Sequence, residues 1–498
     1  MSYLNLGQGI KRLLSVVSIG AATLLGNIQL STSSVRADPL SSDSCQFSSQ
    51  DIAEKEHLKE STVNGDEAAQ NKYTEILKRQ AIQLRDCRRQ SWPANQAIWL
   101  RLYPCDAQEG KIDEVLDRIV NRGYNEIYLE VFYSGQVLLP KGYNSTVWPS
   151  ILDSPGKENR DLLAETIKKA HIRGLKVYAW LFSLNYGYLY GQRVDRQNTL
   201  ALNGKGENSL TFVSDQSQLF IDPYSQIAKE DYRELLKRIL ERRPDGVLFD
   251  YIRYPKGEAN QSVVGDVKDL WIFGESSKAA LLGRAKNYKG RFLLERYLKR
   301  GYITPGDLQE ADRLYKLEGS PLWEGKTPIA NEMTQPLNVR YERIKDEIWY
   351  FAVAHAAQGV VDFLSQAISQ VKPYGIPSGA VFFPDGNQAV GLRGFDSRLQ
   401  AWDHFPKTIE WHPMAYALCD NADCIVNQVK KVVLASANQT EVVPAIAGFW
   451  GKSYTNRPSL EIQMSALRSS FPQLRSISHF GFSWQEPEFD KERKLCKN

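Results

Sequence analysis

Two acidic residues lie in short runs that have the composition of β-strands. Asp250 stands near the end of the run 246–251, and Glu130 lies inside the run 126–133. Paired carboxyl groups can cleave a glycosidic bond when one protonates the leaving oxygen and the other attacks the sugar or activates water. They stand about 5–5.5 Å apart in retaining enzymes and about 6.5–9.5 Å apart in inverting ones. We therefore treat Asp250 as a candidate nucleophile or base and Glu130 as a candidate partner acid.

Each of these carboxylates also has a structural interpretation, which the sequence leaves open. Asp250 can form an ion pair with Arg253 at the end of its strand. Glu130 would be costly to bury without a partner, and Arg101 is a candidate for that partner. If the carboxylates do chemistry, Arg101 is a candidate substrate-binding residue. Arg253 and Tyr254 would then orient Asp250 or hold substrate hydroxyls.

Two other acidic residues are alternative candidates for the second acid. Asp385 follows a predicted strand, although the Asp-Gly pair that it forms with Gly386 is also a turn signal. Glu486 follows the last predicted strand, where a salt bridge at the rim explains it equally well. Asp222 has a different expected role, because it precedes a predicted helix and is placed to cap its first turn.

Alternation along the predicted strands gathers aromatic and acidic side chains on one face, because successive side chains of a strand point to opposite sides. The grouped residues are Tyr128, Glu130 and Phe132 in the second strand, Tyr178, Trp180 and Phe182 in the third, and Glu410, His412, Met414 and Tyr416 in the sixth. Rings and carboxylates together suit sugars. The candidate sugar-stacking rings are Tyr133, Trp180, Tyr416 and Trp450, each of which core packing would also explain.

Eight apolar runs alternate with amphipathic helical stretches. The predicted strands are 97–103, 126–133, 176–183, 246–251, 378–383, 409–416, 441–447 and 478–484. The helices predicted between them are 111–122, 161–173, 227–242, 343–371, 425–437 and 460–471. This order predicts an α/β fold, a (β/α)₈ TIM barrel over residues 95–490. An open doubly wound sheet is the rival fold, but no G-x-G-x-x-G or P-loop follows any predicted strand.

Two segments lie outside the regular alternation. Residues 38–94 are polar with helical spacing and predict a helical N-terminal extension. Residues 256–340 interrupt the barrel directly after its fourth strand, on the face where barrels place their sites. A loop of this length predicts a lid or a subdomain.

The motif around Asp250 resembles a known family. Residues 245–255 read DGVLFDYIRYP and resemble the strand-four signature of the bacterial glycosyl-hydrolase-like family ten, a family of TIM barrels. Shorter pieces follow in the family's order, namely WL at 99–100, IDP at 221–223, PMAY at 413–416 and GFS at 481–483. The resemblance implies a (β/α)₈ glycosidase, and some relatives act on peptidoglycan glycan strands.

The chain departs from the family pattern at two places. Tyr251 stands where many relatives carry a second Asp beside the strand-four carboxylate. In the second strand, residues 130–132 read EVF where relatives often have Gln-x-Arg. Both departures bear on the substrate and on the identity of the second carboxylate.

The first 37 residues have the pattern of a secretory signal peptide. Lys11 and Arg12 precede an apolar stretch, which ends before a small-residue cleavage pattern at 35–37. An uncleaved anchor is the alternative, and no later segment is long and apolar enough to span a membrane. The 498-residue chain has a net charge of +4, and three basic residues fall within the first 37. The near-neutral remainder argues against a nucleic-acid partner.

Cysteine and histidine usage bears on export and on metals. The six cysteines all follow residue 37, and an even count in an oxidising compartment permits disulfides. Cys419 with Cys424 is the favoured pair, while Cys45 with Cys87 could staple the N-terminal extension. Metal ligation and reduced thiols are the alternatives. The chain has six His and no H-x-H or H-E-x-x-H spacing, so we predict no metal and no cofactor.

The leading hypothesis is an exported glycoside hydrolase, periplasmic or extracellular. Its expected partner is an oligo- or polysaccharide, either peptidoglycan glycan strands, which would imply cell-wall association, or an extracellular polysaccharide. The rival hypothesis is a catalytically silent carbohydrate-binding barrel. A second carboxylate within reach of Asp250 would favour hydrolysis over the rival.

Overall fold

The computed structural model describes residues 44–496. The predicted export segment 1–37 lies outside the described residues. Within residues 44–496, none of the helices combines the length and apolar composition that a membrane span needs.

Eight parallel strands form a closed barrel. The strands are β1 (Asn95–Leu100), β2 (Glu126–Tyr133), β3 (Lys176–Phe182), β4 (Gly246–Asp250), β5 (Ser378–Phe382), β6 (Glu410–Ala415), β7 (Ala445–Ala447) and β8 (Ser476–Phe480). Each strand pairs with the next in chain order, and β1 pairs with both β2 and β8, which closes the ring. The prediction of a (β/α)₈ barrel is therefore confirmed.

Helices cover the outside of the ring. They include α1 (Ser49–Val63), α2 (Glu67–Gln90), α3 (Lys111–Asn121), α4 (Leu162–Ile172), α5 (Gln226–Leu240), α6 (Glu275–Gly283), α7 (Tyr288–Arg300), α8 (Pro305–Leu314), α9 (Leu337–Val371), α10 (Asp423–Ser436), α11 (Leu460–Ser470) and α12 (Pro487–Leu495). Helices α3, α4, α5, α10 and α11 each connect two consecutive strands. Their apolar faces pack on the outward side chains of the barrel, which are buried aliphatics such as Ile127, Leu129 and Val177.

The strand boundaries follow the apolar runs closely, with two differences. A β-bulge separates Glu130 from Phe132, so Phe132 pairs with Leu181 and leaves the face of Glu130. Its ring packs outside the barrel against Trp148, with 4.8 Å between the ring centroids. The predicted grouping of Phe132 with Glu130 is therefore wrong. The last strand ends at Phe480, and a short helix, Phe482–Gln485, replaces the rest of the predicted run.

The N-terminal extension consists of α1 and α2. A disulfide joins Cys45, which precedes α1, to Cys87 near the end of α2. Helix α2 is attached to the barrel by a buried polar contact. The Tyr73 hydroxyl donates to Asp117 of α3 at 2.6 Å, and Arg173 donates to the same carboxylate at 2.9 Å. The extension is thus packed on the outer helices of the barrel.

The segment after β4 holds helices α6, α7 and α8 and packs on the long helix α9. Asp222 anchors it, because its carboxylate accepts from the backbone N–H and the hydroxyl of Ser277, at 2.8 and 2.6 Å. The expectation that Asp222 caps the next helix is wrong: α5 begins at Gln226, and Ser225 caps it. Asp222 instead holds the first turn of α6. The segment is thus a helical insertion that Asp222 holds to the loop after β3.

Two further disulfides lie in the barrel domain. Cys419 is joined to Cys424 in the loop before α10, which is the pair favoured from the sequence. Cys105 is joined to Cys496, so that the end of α12 is linked to the segment after β1. Helix α12 therefore lies beside the C-terminal ends of the strands.

Candidate active site

A cavity of about 170 Å³ opens at the C-terminal end of the barrel, where TIM-barrel enzymes place their sites. Strands β1, β2, β3 and β8 and helix α12 contribute its walls. The residues that line it are Trp99, Arg101, Tyr103, Glu130, Trp180, Phe480, Gly481, Phe482, Ser483 and Asp490. Carboxylates, a guanidinium and aromatic rings therefore face the same small space.

Asp250 lies at the end of β4, next to this cavity. Its side chain points into the barrel, and the residue is 6% exposed. The backbone N–H of Tyr251 donates to one carboxylate oxygen at 2.6 Å, and the indole N–H of Trp180 donates to the other at 3.1 Å. Burial raises the pKa of Asp250 to about 6, while both donors and the charge of Arg253 oppose the rise. Trp180, which lines the cavity, is thus hydrogen-bonded to Asp250.

Glu130 lies on β2, is 1% exposed and forms an ion pair with Arg101. Both oxygens of Glu130 accept from the guanidinium: Nε contacts one, and Nη2 contacts the other at 3.0 Å. Burial raises the pKa of Glu130, the Arg101 charge opposes the rise, and the Asp250 charge adds to it. The two carboxylates therefore lie within electrostatic reach of each other. Arg101 itself is 44% exposed in its side chain.

The register of the strands shows how these carboxylates are placed. Glu130 pairs with Trp180, and Trp180 pairs with Leu248, two residues before Asp250. Neighbouring strands lie about 4.8 Å apart, so two strand spacings separate the backbones, and Asp250 lies two residues nearer the C-terminal end than Glu130. Both side chains point inward.

Aromatic rings form the floor and one wall of the site. Trp99 packs edge-on against Trp180 with 4.7 Å between the ring centroids, and Phe480 lies 6.1 Å from Trp99. Tyr416 at the end of β6 contacts Phe480 at 5.7 Å. Tyr133 carries the Arg101 guanidinium over its ring at 4.3 Å. Trp180, Tyr133 and Tyr416, three of the four predicted sugar-stacking rings, therefore lie near the cavity or its lining residues.

Arg253 and Tyr254 lie behind the carboxylate rather than along the cavity. The Arg253 guanidinium packs over the Tyr251 ring at 4.4 Å and donates to the Tyr254 carbonyl at 3.0 Å. The predicted ion pair with Asp250 is absent at 4 Å or less in the described residues, although the two charges interact. Tyr254 is fully buried, and its hydroxyl donates to the Ala356 carbonyl at 3.3 Å. Tyr254 therefore supports the loop that follows Asp250 and does not face the cavity.

Two acidic candidates from the sequence lie elsewhere. Asp385 accepts from Gln388 and Gln428 at 2.7 and 3.0 Å, which stabilises the loop after β5. Glu486 forms ion pairs with Arg118, at 3.0 Å, and Arg122 of α3. This is the rim salt bridge that the sequence left open.

The fourth predicted ring, Trp450, also lies away from the cavity. Its indole N–H donates to the Tyr124 hydroxyl at 3.2 Å, and its ring packs against His479 on the outward face of β8. It borders a different pocket, together with Trp92 and Met464. The loop after β7 therefore turns Trp450 towards the outer helices.

The structure adds two polar residues that sequence reasoning missed, Tyr103 and Asp490. The Tyr103 hydroxyl donates to Asp490 at 2.9 Å, and Arg493 donates to the other oxygen of Asp490 at 3.0 Å. Asp490 is 8% exposed, lies on α12 outside the barrel and still lines the cavity. No strand pattern could identify it. The sequence signal that could have pointed to Asp490 is the even cysteine count, because the disulfide between Cys496 and Cys105 attaches α12 beside the site.

Metal binding was tested on the same residues. Within residues 44–496, no group of three or more His, Cys, Asp or Glu side chains has the arrangement needed to hold a metal ion. Glu130, Asp250 and Asp490 each have protein donors on their oxygens instead.

Comparisons with known proteins agree with the fold. Residues 84–266 match the model of the family described as Glycosyl hydrolase-like 10, which confirms the resemblance for this part of the chain. The matched segment includes β1 to β4, and with them Glu130 and Asp250. A comparison with curated proteins found no match. The class defined by the closed barrel and this match is a (β/α)₈ protein with a glycosyl hydrolase-like segment.

Three enzymes of known structure are distantly similar to this chain. The catalytic domain of β-amylase from Paenibacillus polymyxa is 9% identical with a TM-score of 0.44, covering 78% of this chain and 92% of that one. A β-galactosidase from Marinomonas ef1 is 11% identical with a TM-score of 0.46, covering 81% and 59%. A GH18 chitinase from Pseudoalteromonas aurantia is 11% identical with a TM-score of 0.35, covering 80% and 97%. The family match, rather than these distant similarities, defines the class.

Proposed function

We propose that the protein is an exported glycoside hydrolase that acts on a bacterial glycan, either peptidoglycan glycan strands or an extracellular polysaccharide. One observation carries the proposal. Glu130 lines an aromatic cavity at the C-terminal end of the strands, and the buried Asp250, which is hydrogen-bonded to the lining residue Trp180, adds to the raised pKa of Glu130. The match to a glycosyl hydrolase-like family supports a glycoside hydrolase-type function in general.

In this proposal, Asp250 acts as nucleophile or base and Glu130 acts as its partner. A sugar ring would stack on Trp99 or Trp180, which places its anomeric carbon near the carboxylates. Arg101 would move between Glu130 and the substrate, because more than a third of its side chain faces solvent. With its pKa near 6, Asp250 would be mostly ionised at neutral pH and would keep basicity for proton transfer.

Export rests on two supports. The first is the signal-peptide pattern of residues 1–37. The second is the pairing of all six cysteines in disulfides, which persist in oxidising compartments such as the periplasm or the outside of the cell. Cell-wall association would follow if the substrate is peptidoglycan.

The test is product release from denuded peptidoglycan glycan strands and from soluble polysaccharides. The full chain and Asp250→Asn would be compared, with Asp385→Asn as a matched Asp-to-Asn control in the loop after β5. We expect products from the wild type and the control, and almost none from Asp250→Asn. Equal release by all three proteins would contradict the role of Asp250.

A carbohydrate-binding barrel without catalysis is a second candidate, and two observations favour it. Both oxygens of Glu130 are held by Arg101, and Tyr251 replaces the second Asp of the family motif. If this candidate is correct, the wild type binds glycans but releases no product, and Asp250→Asn binds them equally well.

A further inference from the structure

The cavity has more carboxylates than cations around it. The charged residues in its lining are Arg101, Glu130 and Asp490. Arg101 and Glu130 neutralise each other in their ion pair, which leaves Asp490 as the unbalanced charge of the lining.

The residues behind Asp490 do not restore the balance. Arg493 donates two hydrogen bonds to Asp106, at 2.8 and 2.7 Å, and one to Asp490. Asp106 is fully buried and also accepts from the backbone N–H of Tyr103 at 2.7 Å. In residues 44–496, Arg493 is the one cation within ion-pair distance of either carboxylate. One guanidinium therefore serves two carboxylates.

Burial makes this excess charge unfavourable without a ligand. It raises the pKa of Asp490 and the charge of Asp106 adds to the rise, while the charges of Arg493 and Lys494 and the hydrogen bond from Tyr103 oppose it. A cation in the cavity would favour the ionised carboxylate. Asp490 has acceptor capacity for it, because an ionised carboxylate offers about four lone-pair sites and only two donors are present.

The remaining walls also suit a cation. Trp99, Trp180, Phe480 and Phe482 surround the space with ring faces and edges, and Tyr103 borders it beside Asp490. Aromatic faces attract ammonium groups, by about 0.5–1 kcal/mol at exposed sites and more where water is excluded. The same rings suit the apolar face of a sugar. The cavity is therefore complementary to a ligand that is both a sugar and a cation.

We propose that the cavity binds an amino sugar with a free amine, whose ammonium group donates to Asp490 while its ring packs against the tryptophans. This inference rests on the proposed function for the sugar part of the ligand and adds the substrate class. Asp490 is then a specificity-determining residue supplied by α12, outside the barrel. Glu130 and Asp250 keep the catalytic roles proposed above.

The test compares three β-1,4-linked tetrasaccharides of equal length, made of glucosamine, of N-acetylglucosamine and of glucose. Binding to the full chain would be measured by calorimetry at low temperature, and product release would be measured in parallel. We expect the glucosamine tetrasaccharide to bind about tenfold or more tighter than the other two, as a charge-assisted hydrogen bond would give. Equal or tighter binding of the acetylated or neutral sugar would overturn the proposal.

Variants on α12 assign the preference to Asp490. Asp490→Asn should abolish the preference, Asp490→Glu should restore most of it, and the exposed Glu488→Gln on the same helix should leave it unchanged. Thermal unfolding of each variant separates loss of binding from loss of folding. A preference that survives in folded Asp490→Asn contradicts the assignment.

The outcomes for the two proposals are distinguishable. Product release from some glycan without any preference for the free amine would reject this inference and keep the hydrolase. An amine preference in binding without product release from any glycan would reject hydrolysis and keep the inference.

Discussion

The two ends of the barrel both contain buried carboxylates with raised pKa values, but the groups that surround these carboxylates differ. Strand β2 contributes to both, with Glu126 at the bottom and Glu130 at the top. Burial raises the pKa of Glu126 to about 7, and its ion-pair partner is Lys176 at 3.4 Å. At the top, Glu130 and Asp250 border an aromatic cavity.

The difference between the ends lies in what fills the space beside the carboxylates. At the bottom, the Tyr178 hydroxyl donates to Glu410 at 3.2 Å, and His412 contacts the other oxygen at 3.0 Å. Those groups all belong to the strands themselves. At the top, residues from the loops and from α12 enclose an open volume. A buried carboxylate with a raised pKa is therefore not by itself evidence of catalysis; the space for a substrate has to accompany it.

The largest expected effect comes from Asp250 at the top against Glu410 at the bottom. Asp250→Asn should lower kcat/KM on the identified glycan by about 10²–10⁴-fold, the usual contribution of a general acid or base. Glu410→Gln should change kcat/KM less than about twofold, because Glu410 lies at the opposite end. Steady-state kinetics on folded proteins measures both. Similar losses in both variants would show that the two ends are not functionally different.

A smaller loss is expected for Glu130 against Glu126, which share one strand and one face. Glu130→Gln should lower kcat by about tenfold to a hundredfold, because it removes a charge beside the reacting sugar. Glu126→Gln should leave kcat unchanged. Kinetics should be paired with near-ultraviolet circular dichroism as a check on packing. If Glu126→Gln lowers kcat more than Glu130→Gln does, the expected difference between the two ends of the barrel is contradicted for β2.

Strand β3 offers a matched aromatic pair with a still smaller effect. Trp180→Phe removes the N–H that donates to Asp250, so the pKa of Asp250 should rise and the acidic limb of the kcat/KM profile should move to higher pH. KM should rise several-fold as well. Tyr178→Phe removes only the hydrogen bond to Glu410 and should cost about 1 kcal/mol of stability without moving the profile. An unchanged profile in Trp180→Phe would contradict the assigned contact.

The last effect is on stability rather than on activity, and it depends on pH through Glu126 at the bottom. The pKa of Glu126 rises on folding to about 7, so its neutral form is favoured in the fold. The associated stability is complete below the unfolded pKa, near 4.5, and is lost as the pH rises through about 7. At pH 8, Glu126→Gln should therefore be more stable than the wild type by about 1–3 kcal/mol. Urea denaturation at pH 4.5 and pH 8 measures the difference. Equal pH dependence in both proteins would contradict the raised pKa.

Sequence reasoning located the carboxylates well and their partners less well. The apolar runs set the strands, and alternation placed Glu130 and Asp250 inward with Trp180 between them. The pairing of Glu130 with Arg101 was among the interpretations left open. The position of Phe132 was missed because the bulge in β2 changes the alternation by one residue. Trp450 lies away from the cavity because loop direction does not follow from periodicity, and the rim salt bridge of Glu486 was among the interpretations left open.

The sequence by itself determined the class of fold and which carboxylates of the strands point inward. Apolar periodicity is a local property, so eight strands, their helices and the inward carboxylates could be read from it. Only the tertiary structure decided which carboxylates share a cavity. Asp490 lies 240 residues after Asp250 in the chain and reaches the site through α12, the Arg493 ion pairs and the Cys105–Cys496 disulfide. Contacts of that kind depend on how distant segments pack, and no local pattern contains that information.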